Sequence, residues 1–175
     1  MMKKLLGIIL IISITTSVFS EKTTPFRKYY GNGNPKILGF HLDRTRQKHG
    51  EWTYYFEDGK LKEIGSYKHG KREGEWKRYH ENGKLYQIGS FMDGKWRGEW
   101  KTYHENGKLR MIGSIKDGKW EGEWKWYHEN GKLWMIGSYK DGKHEGQWQV
   151  YEKNGKLEKI EHYKNGELIK TDEVK

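Results

Sequence analysis

Three histidines at one spacing are the residues most suggestive of chemistry. His80, His104 and His128 lie 24 residues apart, and each is followed by Glu and Asn-Gly. Imidazole nitrogens bind zinc, but the ligands of one zinc ion lie within about 2.3 Å of it. Equivalent residues in adjacent units of a β-repeat are expected about 10 Å apart. We therefore interpret the column as solvated histidines at strand ends, and we predict neither a metal site nor a cofactor.

The sequence offers no second kind of reactive site. It contains no cysteine, so a thiol nucleophile and disulfides are excluded, and no glycine-rich loop opens a helix. An active site needs one asymmetric group of residues, whereas nearly every polar residue has copies at the 24-residue spacing. We predict that the protein is not an enzyme.

A 24-residue repeat sets the elements that carry these side chains. Glycine and tryptophan recur with this period, two residues apart, and the register never slips. A fixed period of this length indicates an array of identical supersecondary units. The two columns are Gly50, Gly74, Gly98, Gly122 and Gly146, and Trp52, Trp76, Trp100, Trp124 and Trp148.

Each unit contains two turn signals, such as Asn82-Gly83 and Asp93-Gly94. Both dipeptides favour two-residue hairpin turns, in which both central residues have a positive φ. The stretches between the turns, such as 75–80 and 85–91, are rich in Trp, Tyr and Ile and show no helical apolar stripe, which is typical of strands. The predicted fold class is all-β: about five to six β-hairpins forming an elongated twisted antiparallel sheet or open solenoid.

The chain divides into four segments. Residues 1–20 have a basic start, an apolar run and small residues at the end, which predicts a signal peptide cleaved near Ser20 and export to the periplasm or the extracellular space. An uncleaved anchor is the alternative. We assign 21–49 to a linker and a degenerate N-terminal capping repeat, 50–168 to the repeats, and 169–175 to a charged C-terminal tail.

The charge balance favours some partners over others. Without Lys3 and Lys4, the chain has 32 basic and 24 acidic residues. Outside the cell, such diffuse positive charge fits anionic lipid, a cell-wall polymer or an acidic protein better than nucleic acid. Lysines that follow the turns form two rows, and the alternative is that they only keep the sheet edges soluble. The candidate anion-contacting residues are Lys84, Lys108 and Lys132 in one row and Lys95 and Lys119 in the other.

Some aromatic residues are not required by the repeat. Trp96 and Trp120 stand where other units have Arg72 and His144. Exposed tryptophan on a sheet marks a contact site when it forms a patch, and the alternative is ordinary packing between sheet and cap. The candidate partner-binding residues, all in the third and fourth copies, are Trp96, Trp120, Trp126, Trp134 and Met135.

The motifs Gly-x-Trp-x-x-Tyr, Asn-Gly-Lys-Leu and aromatic-x-Asp-Gly-Lys recur together from Tyr30 to about Leu168. This pattern resembles the membrane occupation and recognition nexus (MORN) repeat, in its second, bacterial variant. It departs from the better-known eukaryotic pattern in its single-glycine Gly-Glu-Trp start and its 24-residue period. The resemblance implies a β-hairpin solenoid that acts as a scaffold or binding surface. Some members accompany an enzyme domain, others are proposed to contact phospholipid, and bacterial members are often labelled antitoxins.

These observations lead to one preferred function and two alternatives. We predict a non-enzymatic exported binding or scaffold module whose sheet surface contacts an unidentified protein partner. The first alternative is attachment to anionic lipid headgroups or a cell-wall glycan, and the second is inhibition of a toxin as an antitoxin or immunity protein. The sequence leaves the oligomeric state open.

Overall fold

The structure is a computed structural model that describes residues 21–174 as one antiparallel sheet. The predicted signal peptide, 1–20, lies outside the described residues. Within residues 21–174, no helix is long and apolar enough to cross a membrane. The strands are β1 (Thr23–Tyr29), β2 (Pro35–Leu42), β3 (Lys48–Tyr55), β4 (Leu61–Lys68), β5 (Lys71–Tyr79), β6 (Leu85–Met92), β7 (Lys95–Tyr103), β8 (Leu109–Lys116), β9 (Lys119–Tyr127), β10 (Leu133–Lys140), β11 (Lys143–Tyr151), β12 (Leu157–Lys164) and β13 (Glu167–Glu173).

The strands pair in chain order, each with the next one along the sequence. The predicted fold class is confirmed, because every repeat is a hairpin that pairs with the hairpins before and after it. Strands β1 and β2 cover most of the segment assigned to a linker and cap. Strand β13 includes the beginning of the segment assigned to a charged tail.

The two turns of each repeat differ in type, and one of them departs from expectation. Asp93 and Gly94 have φ values of 51° and 80°, so the Asp-Gly turn has the predicted two-residue form. We call it the short turn. The Asn-Gly prediction was wrong, because Gly83 has a positive φ but Asn82 does not. Instead, the His80 backbone N donates to the Lys84 carbonyl and the Gly83 N to the His80 carbonyl, which defines a three-residue long loop.

The asparagine side chain makes two contacts in this loop. Oδ1 of Asn82 accepts a hydrogen bond from the Lys84 backbone N at 2.9 Å, and Nδ2 donates to the Glu105 carbonyl of the next repeat at 2.9 Å. The long loop is thus tied both to itself and to its neighbour.

The repeated Gly-x-Trp glycine forms a bulge. Gly74 has a φ of 68°, and Gly74 and Glu75 lie between the paired positions Gly65↔Trp76 and Ser66↔Glu73. Positive φ is readily available to glycine, which explains this column of the repeat.

A second glycine column provides space for the repeat tryptophans. The indole of Trp76 packs over Gly65, where a Cβ would meet the ring at 2.5 Å or less. Trp52, Trp124 and Trp148 cover Gly39, Gly113 and Gly137 in the same way, and all four indoles are 0–1% exposed. The core is therefore a row of indoles, each lying on the preceding strand.

Each indole lies on a glycine of the preceding strand, and this direction explains why the repeat pattern changes at its two ends. Phe26 pairs with Gly39 in the first hairpin, where a tryptophan is missing. Glu161 replaces the glycine of the last repeat, and its partner on β13 is Thr171. Since no tryptophan follows, no glycine is needed at 161.

Candidate binding surface

The repeat tryptophans lie on one side of the sheet, which we call the aromatic face. Side chains alternate between the faces of a strand, so Ile64, next to Gly65, points to the opposite face. A column of residues toward the short turns lies over the tryptophan rings, and another flanks them toward the long loops. The column over the rings is Lys48, Arg72, Trp96, Trp120 and His144. The column beside them is Tyr54, Arg78, Thr102, Trp126 and Val150.

At its N-terminal end, the aromatic face is polar and charged. Glu63 lies 2.9 Å from Arg72 and 3.1 Å from Arg78. The Arg72 guanidinium lies 4.1 Å from the Trp76 ring centroid, in cation–π geometry. Burial raises the pKa of Tyr54, and its hydrogen bond with Tyr67 adds to the shift. We call this part the N-terminal flank.

The C-terminal end is also polar. The Tyr139 hydroxyl lies 2.8 Å from Nε2 of His144, and burial lowers the pKa of His144 while nearby Glu161 opposes the shift. Glu161 pairs with Lys159 at 2.7 Å and accepts a hydrogen bond from Tyr163. The Lys159 hydrogen bond is the main reason that the pKa of Glu161 is lowered. This group forms the C-terminal flank.

Between the flanks, large apolar side chains dominate the face. We call this part the central zone. Its half-buried residues leave part of their side chains open to solvent, and they surround fully buried neighbours. The half-buried members are Trp96, Trp100, Met111, Trp120, Trp126 and Met135, and the buried ones are Phe91, Thr102, Ile115 and Trp124.

Trp96 changes the packing of its own repeat. Its ring stacks on Phe91 at 3.8 Å between centroids and meets Trp100 at 3.7 Å. A Cβ at Gly89 would be 3.0 Å from Trp96 and 3.3 Å from Trp100, so Trp96 partly takes the place that a repeat tryptophan has elsewhere. Trp100 is accordingly half-buried, unlike the other four repeat tryptophans.

Trp120 and Trp126 belong to one aromatic cluster. Trp120 stacks on Trp124 at 4.1 Å with ring planes 12° apart, and Trp126 lies 6.1 Å from Trp120 and 5.4 Å from Trp148. The half-buried Trp120 and Trp126 therefore combine packing with a partly open outer surface.

The structure divides the five candidate partner-binding residues. Met135 is paired with Trp126 and joins the central zone. Trp134 lies apart, 43% exposed and 6.0 Å from the His128 ring. Trp126 and Trp134 both line a shallow depression of about 840 Å³ beside the long loops, so Trp126 connects the two areas.

Sequence reasoning missed Met111, which is paired with both Thr102 and Trp126. It stands where other repeats have Glu63 and Gln87. This is the same departure that singled out Met135, so the sequence did contain the signal.

The candidate lysines of the long loops are held by the next repeat. Lys84 donates to the Asn106 carbonyl at 3.1 Å, and Lys108 and Lys132 donate to the Asn130 and Asn154 carbonyls at 2.9 and 2.6 Å. In the other row, Lys119 lies 3.6 Å from Asp141, and Lys95 is exposed. The long-loop lysines thus serve the stacking of loops while remaining exposed.

The repeated histidines have a similar structural use. Nε2 of His80, His104 and His128 donates to the carbonyls of Tyr103, Tyr127 and Tyr151 at 2.9, 2.8 and 3.0 Å. The rings are half-buried rather than fully solvated. Each histidine therefore connects two neighbouring repeats.

Comparison with known families agrees with this architecture. A family model described as MORN repeat variant matches residues 48–69, 72–93, 96–117, 120–141 and 145–165. Each match corresponds to one hairpin with its long loop, as for β5 and β6, and together they cover more than half of the chain. No curated protein matches the chain.

Proposed function

Because the chain belongs to the MORN repeat variant family, a family of typically non-enzymatic binding modules, we propose that it binds a protein partner through the central zone of its aromatic face. The partner presents apolar side chains to the zone and carboxylates to its N-terminal border. We further propose that the protein acts after export from the cytoplasm.

The observation that carries this proposal is the contrast within one face. In the flanks, the columns over and beside the tryptophans contain Lys48, Arg72, Arg78 and His144. In the central zone, three of the four positions in these columns are tryptophan and the fourth is Thr102, although the other repeats form the same hairpin without tryptophan there. Large half-buried aromatic residues that the fold does not require are typical of protein contact sites.

The flanks supply a chemical specificity. Arg72 and Arg78 share the carboxylate of Glu63, so two guanidinium groups are balanced by one acid at this border. At the other border, Lys159 is paired with Glu161, and burial lowers the pKa of His144. The N-terminal border is therefore the one that favours carboxylates on the partner.

Attachment to anionic lipid is less well supported. The ammonium groups of Lys84, Lys108 and Lys132 donate to backbone carbonyls. Each ammonium group keeps further N–H donors for a lipid phosphate, but this bond holds it at the neighbouring loop. The lysine row therefore already has a role in joining neighbouring loops.

The test uses substitutions that the repeat itself supplies. Trp96→Arg and Trp120→His introduce the residues found at Arg72 and His144 in the same column, so the doubly substituted protein should fold. The wild type and this variant are compared as baits for cross-linked partners in the envelope fraction of the source cells. A protein captured directly by the wild type, retained at rising salt and lost by the variant, supports the proposal.

A matched control separates the lipid alternative. Lys84→Gln with Lys108→Gln removes two charges from the long-loop row without changing the central zone. This variant should retain the protein partner. Cosedimentation with phosphatidylglycerol vesicles that is lost by the lysine variant, steeply salt-dependent and unchanged by the tryptophan variant, would contradict the proposal.

A further inference from the structure

A cluster of three side chains at the first repeat has no counterpart in the later repeats of the described chain. Glu21, His49 and His69 bring their potential ligand atoms within 4.8 Å of one another. The Glu21 carboxylate lies 3.1 Å from Nε2 of His69 and 3.5 Å from Nε2 of His49. The two imidazole rings are 5.5 Å apart between centroids, so both Nε2 atoms face one carboxylate.

The positions of the two histidines have a defined role in other repeats. His49 and His69 lie 24 residues before Glu73 and Asp93. There, Oε2 of Glu73 accepts a hydrogen bond from the backbone N of Asp93 at 3.1 Å. Both partners of this contact are thus histidine in the first repeat alone. The contact recurs from Asp141 to Glu121 at 3.0 Å and from Asn165 to Glu145 at 2.9 Å.

The backbone fixes where the two rings lie. His69 has a φ of 49° in a short turn with Gly70, a conformation that histidine adopts more readily than most residues. The Gly70 N donates to the Lys48 carbonyl at 2.8 Å. The turn that carries His69 is therefore held against the strand that carries His49.

The ring of His49 has unmet bonding capacity. Its Nδ1 is buried and has no hydrogen-bond partner within residues 21–174, which is costly for a polar atom. The other ring nitrogen, Nε2, faces the Glu21 carboxylate and is the one available to a metal ion.

From this arrangement we propose that Glu21, His49 and His69 bind a divalent transition-metal ion of the zinc class, through two imidazole nitrogens and one carboxylate oxygen. Tetrahedral bonds of about 2.0–2.1 Å place ligand atoms about 3.3–3.4 Å apart. Oε2 of Glu21 lies 3.1 Å from Nε2 of His69 and 3.5 Å from Nε2 of His49, and these separations bracket that distance. Mg²⁺ and Ca²⁺ prefer sites made of oxygen ligands, so the donor set selects against them.

Such an ion would join three parts of the chain. Glu21 precedes β1, His49 lies in β3, and His69 lies in the turn between β4 and β5. The ion would fasten the start of the described chain across the first repeat, and a fourth position would stay open to water or another ligand. None of the three residues belongs to the central zone, so the metal site is independent of the proposed protein contact.

Zinc titration by calorimetry of the full-length chain tests the site. We expect one Zn²⁺ per chain and a loss of at least roughly tenfold in affinity for His49→Arg and for His69→Asn. Arg97 occupies the repeat position of His49, and Asn165 occupies that of His69, so both variants should fold. X-ray absorption of the zinc-loaded wild type should show two imidazole ligands.

A histidine outside the cluster provides the control. His128→Phe, which introduces the residue found at Phe56 in the same column, should leave zinc affinity unchanged. Zinc should raise the Tm of the wild type and of His128→Phe but not of the two cluster variants. Absence of zinc binding by the wild type, or equal binding by wild type and both cluster variants, would overturn the proposal.

Discussion

The indole of Trp148 lies against the α-carbon of Gly137 in the neighbouring strand, with no space for a side chain between them. A Cβ at Gly137 would be 2.5 Å from Cγ of Trp148 and closer still to two other ring carbons. Trp76 and Gly65 have the same relationship. These glycines lie outside the positive-φ region, so packing rather than turn formation requires them.

Replacing Gly137 by alanine should therefore destabilise the sheet. We expect Gly137→Ala to lower the free energy of unfolding by about 1–3 kcal/mol, because the buried indole must move to admit the methyl group. Urea unfolding measures the change. The control is Gly31→Ala, where a Cβ would meet nothing within 4 Å and φ is not positive, and its effect should be within about 0.5 kcal/mol. Equal effects of the two substitutions would contradict the packing explanation.

A second prediction concerns the asparagine of the long loop. Oδ1 of Asn106 accepts from the Lys108 N, and its Nδ2 donates to the Glu129 carbonyl of the next repeat at 2.8 Å. Asn106→Asp keeps the first bond and removes the second, so it should cost about 1 kcal/mol. Asn106→Ala removes both and should cost more, as measured by urea unfolding.

The first repeat shows that aspartate suits the local turn, since the Lys60 N donates to Asp58 at 3.0 Å. This makes Asn106→Asp a specific probe of the contact between repeats. If it were as stable as the wild type, the Nδ2 bridge would contribute nothing to stacking.

The fold was predictable because its signals are local and repeated. Turn dipeptides and aromatic strands at a fixed period define hairpins. The form of the Asn-Gly loop was not predictable from the dipeptide alone, since the loop length depends on which residues pair at its ends. The backbone N of His80 donates to the Lys84 carbonyl, and the same three-residue loop forms around Asp58, which has no side-chain amide to reach the next repeat.

The candidate surface was only partly predictable. Trp96, Trp120 and Met135 were identified because they depart from their columns, and Met111 was missed although it departs in the same way. Trp134 was grouped with them because it also replaces a polar residue of its column, Lys62, but a register shift between Leu133 and Met135 sets it apart from Met135. Which of these residues share a face therefore depends on a bulge that the sequence does not specify.

His144 should make the last repeats sensitive to acid. Burial lowers its pKa from 6.5, partly opposed by Glu161, so the unfolded chain binds the proton more readily than the folded one. Its contribution to stability is fully present above about pH 6.5 and is lost as pH falls toward the lowered value. His144→Trp, which introduces the residue found at Trp120 in the same column, removes the group. In urea unfolding, the wild type should lose more stability than this variant on acidification from pH 7, and parallel losses would contradict the prediction.

Tyr139 should have the opposite effect at high pH. Burial raises its pKa from 10.0 to about 12, and nearby Tyr163 adds to the shift. A folded-state pKa above the unfolded value means that stability is fully present below about pH 10 and falls as pH rises toward 12. Tyr139→Phe introduces the residue found at Phe91 in the same column and removes the ionisable hydroxyl, so its stability should fall less than that of the wild type in this range. Tyr54 and Tyr163, whose pKa values burial also raises, remain in both proteins, so the difference between the two unfolding curves isolates Tyr139. Ultraviolet difference absorbance gives a direct measurement, and titration of the Tyr139 phenol near pH 10 in the folded protein would show that its ring is not desolvated.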